Sequence, residues 1–79
     1  MLQREAKIEI EIDCRGLLCP EPVIRARRAL EAIEKGKVIV LVDPGAPKEN
    51  ISRMARSMGY DVEVEPTEDG FKVIVKKSG

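Results

Sequence analysis

Histidine is missing from all 79 residues. With it go the Cys-His and Ser-His nucleophile pairs and every metal motif that needs an imidazole. Tryptophan is missing too, and phenylalanine and tyrosine occur once each. The core must therefore be aliphatic, built of Ile, Val, Leu and Met, each worth about 1.5 to 3 kcal/mol when fully buried. No run of eighteen apolar residues occurs, and the opening MLQREAKIE is not a basic segment followed by an apolar one. Neither a membrane span nor a secretory leader is expected, so the protein reads as cytoplasmic. Fourteen basic and fourteen acidic side chains cancel, which leaves no global field to draw the chain to nucleic acid or an anionic membrane. Only two cysteines are present, Cys14 and Cys19, and without an export signal they read as reduced thiols, reactive or buried, not as a structural disulfide.

What is present suits one small folded domain spanning residues 1–79. At 43% hydrophobic and 35% charged, the composition is that of a globular chain and not a disordered one. KIEIEI, residues 7–12, alternates charge with Ile8, Ile10 and Ile12, the pattern of a strand with one buried face. From Val23 the period changes: Val23, Ala26, Leu30 and Ile33 recur three or four apart, and Gly36 suits a helix stop. KVIVLVD, residues 37–43, is a β-branched run fit for a central strand. After the PGAP break, Pro47 fits a first helical turn and Ile51, Met54, Ala55 and Met58 line one face up to Gly59. Tyr60, Val62 and Val64 alternate, Asp69-Gly70 is expected to supply positive backbone angles for a tight hairpin, and FKVIVKK returns as a final strand.

The element order is βαβαββ, an α+β two-layer sandwich. Right-handed crossovers place both helices on one face of a four-stranded mixed sheet. The two methionines at helical spacing, Met54 and Met58, read as core and not as ligands.

The chemistry concentrates in DCRGLLCPEPVIRARRAL, residues 13–30. Pro20 and Pro22 both fit a first helical turn, where the amides have no internal partner to lose. If Pro20 is the first helical residue, Cys19 is the N-cap and the amides of Glu21 and Val23 can face its sulfur at the positive end of the helix dipole. If the helix begins at Pro22 instead, Glu21 is the cap and Cys19 lies in the preceding loop, because a residue before proline resists the helical region. Glu21 opposes a thiolate and Arg15 could offset it, so the sign of the Cys19 pKa shift stays open. The plain alternative makes Cys19 a small buried hydrophobe beside a helix-entry signal. Cys14 is read as packing, with a resolving thiol for Cys19 across the RGLL loop as the sharper alternative. Two thiols without further Cys or His make no zinc site.

These residues resemble a known family. Asp13, Gly16 and Leu17 followed by Cys19-Pro20-Glu21-Pro22-Val23 are similar to the signature of the TusA/SirA-like small sulfur carriers, whose hallmark is a Cys-Pro-x-Pro motif opening the first helix. The resemblance covers essentially the whole chain, including the Asp43 turn and the basic last strand. It implies sheet order 1-2-4-3, a persulfide carried on Cys19, and no metal or organic cofactor. It makes Gly16, Pro20, Glu21 and Pro22 the residues that position the nucleophile. Cys14 departs from TusA itself, and Asp-Cys-Arg-Gly-Leu looks more like the YedF-type branch, which is associated with selenium metabolism.

The implied partners are a cysteine desulfurase-type donor and an acceptor protein in a relay that feeds tRNA thiolation, molybdenum-cofactor chemistry or sulfur oxidation. A monomer with no membrane and no direct nucleic acid is expected. Leu17 or Leu18, together with Ile24, are proposed as an apolar docking rim, with Arg15 as a further docking residue and Arg25, Arg27 and Arg28 as steering charges. Against that steering role, Glu21-Arg25, Arg27-Glu31 and Glu31-Lys35 stand four apart and can pair along a solvated helix face. Two rival functions are an RNA-binding small domain, which zero net charge and scarce aromatics disfavour, and a redox sensor using Cys14 and Cys19 as a reversible pair.

Overall fold

The computed structural model describes residues 8–18 and 20–77. Strand β1 (Glu9–Asp13) leads to helix α1 (Glu21–Ala32), strand β2 (Gly36–Val42), helix α2 (Ala46–Ser57), and the hairpin of β3 (Asp61–Pro66) and β4 (Phe71–Lys77). The sheet order is β1-β2-β4-β3, with β1 parallel to β2 and the other neighbours antiparallel. The predicted βαβαββ order and sheet order are those observed.

Period two does the sorting. Val38, Val40 and Val42 of β2 face Val75, Val73 and Phe71 of β4 across the antiparallel register. The five valines are fully buried beneath the helices together with Leu30, Ile51, Ala26 and Ala55. Met54, Ile10, Ile12 and Val62 pack against this cluster. The opposite face carries no helix among the described residues. There Glu9, Glu11 and Asp13 form an acidic column on β1 and Asp61, Glu63 and Glu65 another on β3, with Ile39, Leu41 and Ile74 between them. Lys37, Lys72 and Lys76 pair across strands with Glu9, Glu65 and Glu63 at 3.5, 3.9 and 3.4 Å.

Four expectations need correction. Ile8 precedes β1 and is exposed, although its carbonyl still accepts a hydrogen bond from the Lys37 N–H. Gly36 does not stop α1: the helix ends at Ala32 with Ile33 extended, and Gly36 opens β2. A side chain there would collide with the Ile8 carbonyl. Val64 sits on the helix side yet is 37% exposed, in an open groove beside α2. Neither Asp69 nor Gly70 takes a positive φ. The glycine is needed because a Cβ would strike the Val42 carbonyl.

Gly59 does end α2 as expected. Its φ is 90°, its N–H bonds to the Arg56 carbonyl, and the Tyr60 N–H bonds to the Ala55 carbonyl, which is the Schellman pairing.

Candidate functional site

Both parallel strands end at the same edge of the sheet, so the β1–α1 and β2–α2 connections lie side by side there. The first of these, residues 14–20, is pinned at three points. The Cys14 N–H extends the parallel ladder to the Leu41 carbonyl at 2.8 Å, and the Gly16 N–H donates to Asp43 Oδ2 at 2.7 Å. Gly16 has a φ of 82°, a backbone conformation that favours glycine. Arg15 supplies the third anchor: Nε and Nη2 grip Asp13 at 2.8 Å each, while Nη1 reaches Asp69 in the β3–β4 turn at 2.9 Å.

The helix start falls between the two registers the sequence allows. Pro20, at φ −100° and ψ 19°, holds the N-cap position, so Glu21 is the first helical residue and Pro22 the second. The cap is therefore not residue 19. The Pro20 carbonyl accepts the first intrahelical bond, from the Ile24 N–H at 3.1 Å. The Glu21 amide does not serve the site as expected, because it donates to the Leu18 carbonyl at 2.9 Å. The prolines remove two further donors from the first turn. Among the described residues no side chain caps α1. Cys19 itself lies outside the described residues.

The neighbours of residue 19 divide sharply. Leu18 is 82% exposed and Pro20 is exposed, whereas Leu17 packs against the core. Of the two leucines offered for a docking rim, only Leu18 stands out, and Ile24 is 37% exposed on the first turn of α1. Leu17 is spent on packing. Cys14 is 1% exposed in the core, a free thiol. Burial pushes its pKa up, Arg25 pulls it down, and Asp13 and Glu21 push it up further.

Arg15 does not offset Glu21, since Asp13 and Asp69 take three of its nitrogen contacts. Arg25 pairs with Glu21 at 3.2 Å and Arg27 with Glu31 at 3.3 Å, as the solvated-face reading has it, while Arg28 is exposed. Asp43 and Asp69 gave no local sign of their role. They lie 27 and 54 residues from the groups they hold.

Among the described residues no cluster of three or more Cys, Asp or Glu could hold a metal, and no helix is long and apolar enough to cross a membrane.

Similarity to known proteins bears on this site. A putative sulfur carrier protein of Archaeoglobus fulgidus is 44% identical over 69 residues, covering 85% of this chain and 90% of that protein. The sulfur carrier protein TusA of Allochromatium vinosum is 35% identical over 77 residues, 92% of this chain and 99% of that one. The crystal structure of a SirA-like protein from Desulfitobacterium hafniense superposes with a TM-score of 0.84 at 38% identity, over 89% of this chain and 99% of its own. Residues 10–77 match the family described as Sulfurtransferase TusA, and the chain belongs to that family.

Proposed function

We propose that the protein is a sulfur carrier that holds sulfane sulfur as a persulfide on Cys19. The observation that carries this reading is the contrast between the two thiols' surroundings. Cys14 is sealed in the core, while residue 19 follows the exposed Leu18 and precedes the exposed Pro20 at the start of α1. Membership of the TusA family and relatives named as sulfur carriers support it.

In the proposed transfer the Cys19 thiolate attacks the outer sulfur of a donor persulfide. The donor's own sulfur leaves as a thiolate, and Cys19 keeps the transferred atom as Cys19-S-S⁻. A nucleophile of the acceptor protein then takes that outer sulfur, and the Cys19 thiolate returns. Each step exchanges one bond to sulfur for another, so no outside oxidant or reductant is consumed. No histidine base is required. Pro20 and Pro22 stiffen the segment that presents the sulfur.

The donor is a cysteine desulfurase-type enzyme and the acceptor a relay protein of tRNA thiolation or of related sulfur or selenium metabolism. Leu18 and Ile24 form the apolar rim for these partners, with Arg25 and Arg28 beside them. The carrier acts in the cytoplasm as a monomer, without direct contact to nucleic acid. The redox-pair alternative is weakened by Cys14, whose buried, protonation-favoured thiol is a poor resolving nucleophile.

Incubation with a cysteine desulfurase and cysteine, followed by intact-mass measurement, tests the reading. One added sulfur is expected on the wild type and on Cys14→Ala, and none on Cys19→Ser. Loading of Cys19→Ser, or loading that depends on Cys14, overturns it.

A further inference from the structure

The two helices do not cover the sheet completely. On the side of α2 away from α1, a groove of about 730 Å³ runs over β3, and Val64 lines it. Lys48, Arg53 and Arg56 of α2 line it too, against the single carboxylate of Glu49. The side chains of Arg53 and Arg56 make no ion pair or hydrogen bond among the described residues. Below the groove, β3 hydrogen-bonds among the described residues to β4 alone, which leaves its outer backbone edge open to a further strand. Two observations of different kind, an open strand edge and an uncompensated cationic groove above it, therefore coincide.

We propose that this edge is a docking surface for an extended segment of a partner protein, added to the sheet beside β3 with acidic and basic side chains in alternation. The alternation follows from the pleat. Side chains pointing to the helix side meet Arg53, Arg56 and Lys48 over Val64, and call for carboxylates. Side chains pointing to the other face meet the column of Asp61, Glu63 and Glu65, of which Glu63 and Glu65 have Lys76 and Lys72 on the β4 side alone, and call for lysine or arginine on the open side.

A second copy of this chain does not satisfy the pattern. Joining its β1 would set Glu9, Glu11 and Asp13 against the β3 acids, and joining its β3 would set that column against itself. Like charges directly across a strand pair are destabilising.

The near end of the groove is at Lys48, whose amine lies 4.2 Å from the Phe71 ring centroid. Phe71 stands two residues beyond Asp69, the partner of Arg15 in the cysteine connection. A segment seated in the groove therefore approaches the edge of the sheet where Arg15 meets Asp69, yet its binding does not depend on what Cys19 carries.

The test uses the full chain and two capped peptides of equal composition: one alternating glutamate and lysine, the other with glutamates and lysines in two blocks. Both have zero net charge, so bulk attraction cannot separate them. Nuclear magnetic resonance titration is expected to show the alternating peptide shifting the Val64 methyls and the β3 amides. It should bind about tenfold or more tightly than the block peptide, with the Leu18 and Ile24 signals unmoved. Arg53→Glu/Arg56→Glu should abolish the preference and Arg53→Ala/Arg56→Ala should reduce it, both with unchanged circular dichroism because these side chains are exposed. Equal binding of the two peptides, shifts centred on α1, or no saturable binding up to about millimolar peptide overturns the proposal. A single-stranded RNA oligonucleotide that moves the Val64 signals at lower concentration than the peptide overturns it in favour of nucleic acid.

Discussion

Asp13 and Arg15 hold one another through three hydrogen bonds. The Arg15 backbone N–H and Nε both donate to Oδ1, at 3.1 and 2.8 Å, and Nη2 donates to Oδ2 at 2.8 Å. The pair closes the turn that leaves β1, and Arg15 extends it to Asp69, so the cysteine connection is tied to the far hairpin.

That grip has a pH signature. The side-chain hydrogen bonds from Arg15, then its backbone N–H, lower the Asp13 pKa to about 2. In the unfolded chain the same carboxyl titrates near 3.9. The folded state thus binds the proton less readily, so the contribution of Asp13 to stability is present above pH about 4 and is lost as pH falls through about 2. A carbon-detected titration of the Asp13 carboxyl should give a midpoint near 2 in the wild type, moving toward 3.9 in Arg15→Ala. An unshifted midpoint in the wild type would contradict the fork.

Cys14 should be chemically silent while the protein is folded. Burial raises its pKa, so the thiol stays protonated at neutral pH and out of reach of reagents. In Cys19→Ser a disulfide reagent at pH 7.5 is expected to label no thiol until denaturant is added. Rapid labelling under native conditions would show that the site opens. Because the folded pKa is raised, the Cys14 contribution to stability is present below the ordinary thiol pKa and is lost as pH rises through the folded value.

Lys77 closes α1 from a distance. Its amine donates to the carbonyls of Leu30 and Ile33, each at 2.7 Å, and so serves the helix C-terminus in place of a local glycine. Lys77→Met keeps the stem and removes the donors. Urea unfolding should show a loss of about 1 to 2 kcal/mol, the scale of charged hydrogen bonds and a dipole contact at a partly exposed site.

Gly70 is a matter of room. Ala at this position would push its Cβ into the Val42 carbonyl, and backbone cannot yield as a flexible side chain can. Gly70→Ala should cost about 1 to 3 kcal/mol by overpacking. Gly16→Ala meets open space and fails instead through its φ of 82°. Thermal melts of the two variants should both fall below the wild type, and a Gly70→Ala protein as stable as the wild type would refute the collision.

The core sets the scale for these effects. Leu30 is fully buried at the centre of the helix-facing cluster, so Leu30→Ala should lose about 2 to 5 kcal/mol in chemical denaturation.

The amino-acid sequence by itself determined the elements. Ile10 and Ile12 alternating with glutamate, the three-and-four spacing of Val23, Ala26 and Leu30, and Gly59 after the last turn of α2 are local signals. Each works through neighbours a few residues away, where backbone geometry alone sets the face. Only the tertiary structure decided which of Leu17 and Leu18 is spent on the core, why Gly36 and Gly70 must lack a side chain, and that Asp43 and Asp69 hold the cysteine connection. Those contacts join residues 27 to 54 positions apart, and no periodicity in the chain encodes a meeting that exists only once the sheet has closed.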